Sequence, residues 1–187
     1  MNLENGVALV TGSSSGVGAA TAKLLAEQGC RVVINYSKSV DAAQAVAEEC
    51  RKLGADALVC QANVADDGDC KNMIAAALEK WGRLDALVNN AGTTKFMNHA
   101  NLAGLDKQDF FDIYGVNVVG PYQMTRAAEK ALRKSGDGAV VNVSSIAGVK
   151  GAGSSIAYAA SKGALITMTM SLARVLSPEV RVNCVCP

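Results

Sequence analysis

The sequence has little of what marks a special environment. Among 187 residues there are one histidine, three prolines and only 4% aromatics. With one histidine and no CxxC pair, neither a zinc site nor a secreted disulfide framework is suggested. Lys+Arg 18 against Asp+Glu 17 leaves a formal net charge of +1, which gives no electrostatic footprint for nucleic acid or an anionic membrane. No apolar run reaches the roughly 18 residues of a membrane span, and Met1 to Val10, interrupted by Glu4, lacks the order of a signal peptide. The chain is therefore expected to be cytoplasmic, with Cys30, Cys50, Cys60, Cys70, Cys184 and Cys186 as reduced thiols. No repeat, low-complexity segment or charge block divides it, so a single domain over 1–187 is expected.

Half of the residues are hydrophobic, and with so few aromatics the core must be built from Ala, Val, Leu and Ile. Short β-branched runs alternate with alanine-rich stretches of helical spacing, the pattern of βαβ units and a parallel sheet. Six strands are expected, at Val7–Thr11, Arg31–Asn35, Asp56–Gln61, Ala86–Asn89, Ala139–Ser144 and Val180–Val185. Helices are expected at Val17–Gln28, Val40–Leu53, Asp67–Trp81, Lys107–Lys134 and Ile156–Leu176, with Gly29, Gly54, Gly82 and Gly136 as stop signals. The fourth helical stretch contains Gly115 and Gly120-Pro121 and is expected to bend or break there. Cys184 and Cys186 would share one strand face as small apolar packing. Arg83 and Asp85 read as surface charges, and His99 as a surface loop residue.

The first strand runs into Thr11-Gly12-Ser13-Ser14-Ser15-Gly16-Val17-Gly18 and then a helix. Glycines there let the backbone turn tightly and approach a pyrophosphate, whose charge rests on the free N–H groups of the helix. This points to a dinucleotide site. Such sites carry an acid near the end of the second strand to bind ribose hydroxyls. Here that stretch is Ile34-Asn35-Tyr36-Ser37-Lys38, without an acid. Ser37 and Lys38 can serve a 2′-phosphate, which favours NADP; NAD stays open because no arginine clamp is present.

Tyr158 and Lys162 lie four apart in an expected helix, on one face. Tyrosine is a poor acid–base at neutral pH, and a neighbouring ammonium favours its phenolate. Ser144-Ser145 ends the fifth expected strand and Asn89-Asn90-Ala91-Gly92 the fourth, where ligands of open parallel sheets bind. Ser145 is the hydroxyl expected to face the site, and Ser144 to pack.

Taken together, the glycine turn, Asn89-Asn90-Ala91-Gly92, Val116-Asn117, Ser145 and Tyr158-Ala159-Ala160-Ser161-Lys162 resemble the short-chain dehydrogenase/reductase family, over Gly6 to Pro187. The resemblance implies a Rossmann-type, doubly wound parallel sheet in a three-layer α/β/α sandwich, strand order 3-2-1-4-5-6. It implies that Tyr158 is the general acid of carbonyl reduction, that Ser145 polarises the carbonyl and that Asn117 positions a water leading to Lys162. Lys162 would hold the nicotinamide ribose. Thr11, Gly12, Ser14, Gly16, Val17 and Gly18 would line the phosphates, Tyr36, Ser37 and Lys38 the ribose end, Asn63 and Val64 the adenine. Asn90, Ala91, Gly92 and Pro187 would flank the rest of the cofactor.

The general pattern is nearest to 3-oxoacyl-[acyl-carrier-protein] reductases of fatty acid biosynthesis. Sugar or steroid alcohol dehydrogenases of the family share these motifs, and a non-catalytic NADP-binding protein is the rival from another class. Leu165, Met168, Leu172 and Leu176 form an apolar face that can pack inward against the sheet or extend an interface, and the resemblance implies a homotetramer or dimer through the last two long helices. Two departures stand out. Asn63-Val64 replaces the family's usual Asp-Val, and the sequence stops at Pro187, where the family pattern continues with a glycine, a mobile substrate cover and a last strand. That implies either a truncated chain, with its sixth strand an exposed edge and the active-site floor without a lid, or a portion of a longer protein that carries the rest.

Overall fold

The computed structural model describes residues 3–187. Six strands, β1 (Val7–Val10), β2 (Arg31–Tyr36), β3 (Ala57–Gln61), β4 (Ala86–Asn89), β5 (Gly138–Val143) and β6 (Val180–Val185), form one parallel sheet in the order β3-β2-β1-β4-β5-β6. The alternation of side chains along each strand sends residues to opposite faces. Val7 and Leu9 face a layer made by α3 (Asp67–Trp81), α5 (Gly120–Lys134) and α7 (Ile156–Leu176), where Met73, Met124, Leu132 and Leu176 pack. Ala8 and Val10 face α1 (Gly16–Glu27) and α2 (Val40–Lys52). This second layer is alanine-rich, with Ala19, Ala22 and Ala26 on α1 and Ala43 and Ala47 on α2. Small side chains let these two helices sit close to the sheet, so the glycine turn is pressed against its edge.

Helix boundaries follow local chemistry. Gly29, Gly54, Gly82 and Gly136 all take positive φ (82°, 91°, 69° and 83°), where a side chain would be strained, and each stands just beyond a helix. α3 opens on Asp66, whose carboxylate accepts from Asp69 N at 2.9 Å. The fourth helical stretch divides as its glycines suggest: α4 (Lys107–Tyr114) passes through a π-helical turn at Gly115–Val119 into α5, with Pro121, which has no N–H to give, directly after that turn.

Several sequence expectations need correction. A short helix α6 (Ile146–Lys150) follows β5, and a 3₁₀ turn lies at Leu102–Gly104; both are too short for periodicity to show. Asp85 is buried, not a surface charge: it accepts from Val7 N at 2.8 Å and from Arg83 at 2.7 and 2.9 Å, tying the starts of β1 and β4 together. Cys186 lies beyond the end of β6, so it does not share a strand face with Cys184. His99 is half-buried, and its Nε2 is enclosed without a partner. Of the two readings of the α7 face, inward packing holds: Leu165 and Leu176 are buried and Met168 and Leu172 half-buried, while Met170 and Val175 point outward.

Candidate active site

Two adjoining cavities open at the carboxyl edge of the sheet and share Asn90, Gly92 and Thr93. The larger, of about 760 Å³, lies over the ends of β1, β2 and β3. The other, of about 620 Å³, lies between the end of β5, α6 and the start of α7.

The wall of the larger cavity is the glycine turn. Gly12 has φ +61°, and a Cβ there would stand 2.9 Å from Ala91 Cα. A Cβ on Gly18 would collide with Asn90 Nδ2 and stand 2.6 Å from Gly12 O. This tightness comes from side chains that grip the turn from behind. Asn90 Nδ2 donates to Thr11 O (2.9 Å) and Gly12 O (3.1 Å), and Thr11 Oγ1 accepts from the amides of Asn90 and Ala91, both at 3.0 Å. Ser13 Oγ donates to Val10 O at 2.7 Å and accepts from Asn35 N at 2.9 Å.

Like α2, but unlike α3, α4, α6 and α7, which are capped by Asp66, Asp106, Ser145 and Ser155, α1 has no side chain capping it, and it starts on this turn. Its first-turn amides and positive dipole end therefore stay available beside the glycine cradle, an arrangement that fits a pyrophosphate. Lys38 is the one cation among the residues lining this cavity.

The second cavity holds the reactive groups. Gly148 brings α6 onto α7, its Cβ position only 2.5 Å from Lys162 C, and so seats Ser145 against the first turns of α7. Ser145 Oγ caps α6 by accepting from Ala147 N at 3.2 Å. Ser155 Oγ accepts from Tyr158 N at 3.2 Å and fixes the start of α7. Lys162 is buried to 3% exposure, its Nζ 5.7 Å from the Tyr158 ring centre and donating to Val143 O at 2.8 Å. Burial pushes its pKa down to about 8, against an opposing pull from the thiols of Cys184 and Cys186. No acidic side chain lines this cavity; Lys150 stands among its otherwise mostly apolar walls with Phe96, Ile146 and Ala147.

Gly12, Ser14, Ser37, Lys38, Asn63, Val64, Asn90, Ala91 and Gly92 line the first cavity, and Val17, Ser145, Tyr158, Lys162 and Pro187 the second. Tyr36 is not on either wall; it packs partly against the alanine-rich core. Thr11 and Gly18 are buried behind the turn, and exposed Gly16 lines neither cavity. Asn117 is fully buried in the π-helical turn, accepting from Thr93 N (2.8 Å) and donating to Thr93 O (2.9 Å) and Ser161 Oγ (3.0 Å). Ser144 packs as expected, donating to Lys162 O at 2.8 Å. Asn63 Oδ1 accepts from Ala65 N at 3.1 Å, and its side-chain nitrogen is the donor it can offer to the cavity. Sequence reasoning missed Asn35, Ser13, Ser155 and Ser161. Ser155 alone had a local signal, a serine just ahead of an apolar helix.

A catalytic-type tyrosine and lysine beside a dinucleotide-type turn, on a doubly wound sheet, define a Rossmann-type oxidoreductase. The family profile described as short chain dehydrogenase matches residues 6–187. A Streptomyces violaceoruber protein named as a ketoacyl reductase of granaticin polyketide synthase is 48% identical over 181 residues, covering 97% of this chain and 71% of that protein. A 3-oxoacyl-[acyl-carrier-protein] reductase of Synechocystis is 38% identical, covering 97% of this chain and 72% of that one. A solved structure from Burkholderia xenovorans, named as a short-chain dehydrogenase/reductase, superposes with a TM-score of 0.96 at 47% identity, covering 98% of this chain and 76% of that one. The chain belongs to the short-chain dehydrogenase family. It is thus an oxidoreductase of a family that works with a nicotinamide cofactor, NAD or NADP. No helix among the described residues is long and apolar enough to cross a membrane.

Proposed function

We propose that the protein is an NADP(H)-dependent carbonyl reductase, reversible as a secondary-alcohol dehydrogenase, with one dinucleotide-binding domain over 1–187. The observation that carries this reading is the buried Lys162 ammonium beside the Tyr158 ring, in a cavity also lined by Ser145. The open amides of α1 would hold the pyrophosphate, Ser37 and Lys38 the 2′-phosphate, Val64 and the Asn63 amide the adenine, and Lys162 the nicotinamide ribose. When bound, the nicotinamide supplies the hydride in reduction and takes it up in oxidation.

Ser145 donates a hydrogen bond to the substrate carbonyl, and Tyr158 gives its phenolic proton to the same oxygen as it becomes an alkoxide. Lys162 stabilises the negative charge left on the phenol oxygen. Asn117, held in the π-helical turn, positions the water through which Lys162 and Tyr158 recover a proton. The apolar lining of the cavity around Phe96, Ile146 and Ala147 favours an acyl substrate over a polyhydroxylated one. With the names of the relatives, this supports a 3-oxoacyl thioester as the first substrate to test.

Exposed Phe111, Tyr122, Met170 and Val175 on α4, α5 and α7 support a homo-oligomer, which solution mass will test. The thiols, none of them paired, suit a cytoplasmic setting. For the reaction, NADPH consumption is followed with a 3-oxoacyl thioester and with a sugar lactone under identical conditions. Turnover of the thioester that disappears in Tyr158→Phe, with NADPH affinity retained, is the expected result. Equal inactivity of wild type with both compounds removes both substrate classes, and undiminished turnover in Tyr158→Phe removes the role given to the tyrosine.

A further inference from the structure

Asn35 sits at the end of β2 with 2% exposure, and its side chain reaches three separate chain segments. Its Oδ1 accepts from Gly12 N at 2.8 Å. Its Nδ2 donates to Ala62 O at 3.1 Å, with Tyr36 O at 3.3 Å and Cys60 O at 3.4 Å also within reach. Its backbone completes the connection: Asn35 N donates to Ser13 Oγ at 2.9 Å, and Asn35 O accepts from Ser13 N at 2.9 Å. Only an amide fits, because the acceptor must meet an N–H of the glycine turn while the donor meets carbonyls beyond β3.

We infer that Asn35 is the positioning residue of the whole adenosine half of the site. It ties the phosphate-binding turn to the start of the Ala62–Asn63–Val64 wall and to the strand end that presents Ser37 and Lys38. It acts through these segments, and the inference rests on the dinucleotide-binding reading above. Because it takes Gly12 N, that amide is withdrawn from phosphate binding, and the anion is left to the uncapped end of α1. A carboxylate at this position would still accept from Gly12 N, but it would face the carbonyls of Ala62, Cys60 and Tyr36 with no proton to donate. It would also set a negative charge beneath the pyrophosphate.

The test measures affinity for NADP and for 2′,5′-ADP, the adenosine half alone, in Asn35→Asp and Asn35→Ala, each as a ratio to wild type at the same pH. Asn35→Asp is expected to weaken both ligands about 30-fold near pH 8 and to recover to within about fivefold near pH 5.5, as its carboxyl gains a proton and a donor. Asn35→Ala is expected to lose about tenfold at both pH values. In both variants, kcat at saturating cofactor stays within about twofold of wild type. A purely structural defect would lower kcat and affinity together and show no acid recovery, and that result overturns the inference, as does binding within twofold of wild type in both variants. If neither variant folds, Ser13→Ala carries the test. It removes the hydroxyl that joins Asn35 to β1, and it is expected to weaken 2′,5′-ADP about fivefold; a change under twofold overturns the inference. Wild type that binds neither ligand removes the dinucleotide reading itself, and the inference with it.

Discussion

The two cavities at the sheet edge are held together in different ways. The glycine-turn side is polar and gripped by side chains that hydrogen-bond backbone: Asn35, Asn90, Thr11 and Ser13 all bind the turn from behind. The Tyr158 side is mostly apolar, and its chemistry rests on one buried ammonium bonded to a single carbonyl, Val143 O. One side fixes shape at little electrostatic cost, since the side chains of Asn35, Asn90, Thr11 and Ser13 each meet backbone partners. The other accepts a desolvated charge, which lowers stability and supplies reactivity. Binding and catalysis should therefore separate under mutation.

Lys162→Met should break this comparison most sharply. Turnover is expected to fall at least about 1,000-fold, from loss of the charge that stabilises the phenolate. Stability should move the other way. Burial lowers the lysine from its ordinary 10.5 to about 8, a cost on the order of 3 kcal/mol at neutral pH, partly offset by its hydrogen bond to Val143 O. The variant should be more stable by about 1–2 kcal/mol at pH 7 in chemical denaturation. Above pH 8 the folded protein releases this proton while the unfolded chain keeps it until about 10.5, so wild-type stability rises with pH across that window. The advantage of the variant should accordingly vanish by about pH 10. A gap constant from pH 7 to 10 would mean the ammonium carries no burial penalty.

Gly18→Ala attacks the other side. Its Cβ would collide with Asn90 Nδ2 and crowd Gly12 O at 2.6 Å, so either the asparagine lets go of the turn or α1 shifts. Overpacking of this kind costs about 1–3 kcal/mol. Cofactor affinity should fall by about 100-fold while any activity left at saturation keeps the wild-type pH profile. A variant with normal affinity and lower kcat would show that the two cavities are not separable.

Much of this contrast was legible in the sequence because its carriers are local. The strand alternation, the glycine stops, the turn at Thr11–Gly18 and the Tyr158–Lys162 spacing each show in a few consecutive residues, and the sheet and both cavities follow from them. What escaped depends on contacts between distant segments. Asn35 read as an ordinary strand end, although it spans β1, β2 and β3; Asp85 read as a surface charge, although it is the acceptor for Val7 N, 78 positions away. The resemblance sets Tyr36 at the ribose end, but strand alternation turns it from the cavity while Ser37 and Lys38, past the strand, line it.

The pH dependence of reduction sharpens the comparison with a smaller effect. Lys162 must keep its proton to support Tyr158, and burial sets that proton's loss near 8. At saturating cofactor, the rate should be flat from pH 6 to about 7.5 and then fall toward tenfold per unit above 8. Cofactor affinity, which rests mostly on the glycine-turn cavity and on Lys162 only at the nicotinamide ribose, should change far less over that range. Parallel loss of both would show that binding and catalysis share the titrating group and are not separable.

The smallest effect is the most selective. Lys38 is the only cation among the residues lining the glycine-turn cavity, and it is exposed, so its attraction for a 2′-phosphate is screened by solvent and salt. Lys38→Ala should weaken NADPH by about fivefold, leave NADH within about 1.5-fold, and leave stability unchanged. The difference should shrink in high salt, because a charge contact in water weakens with ionic strength whereas the buried amide contacts around Asn35 do not. Equal losses for the two nucleotides would show that Lys38 serves the whole cavity and leave Ser37 as the remaining basis for choosing the phosphorylated cofactor.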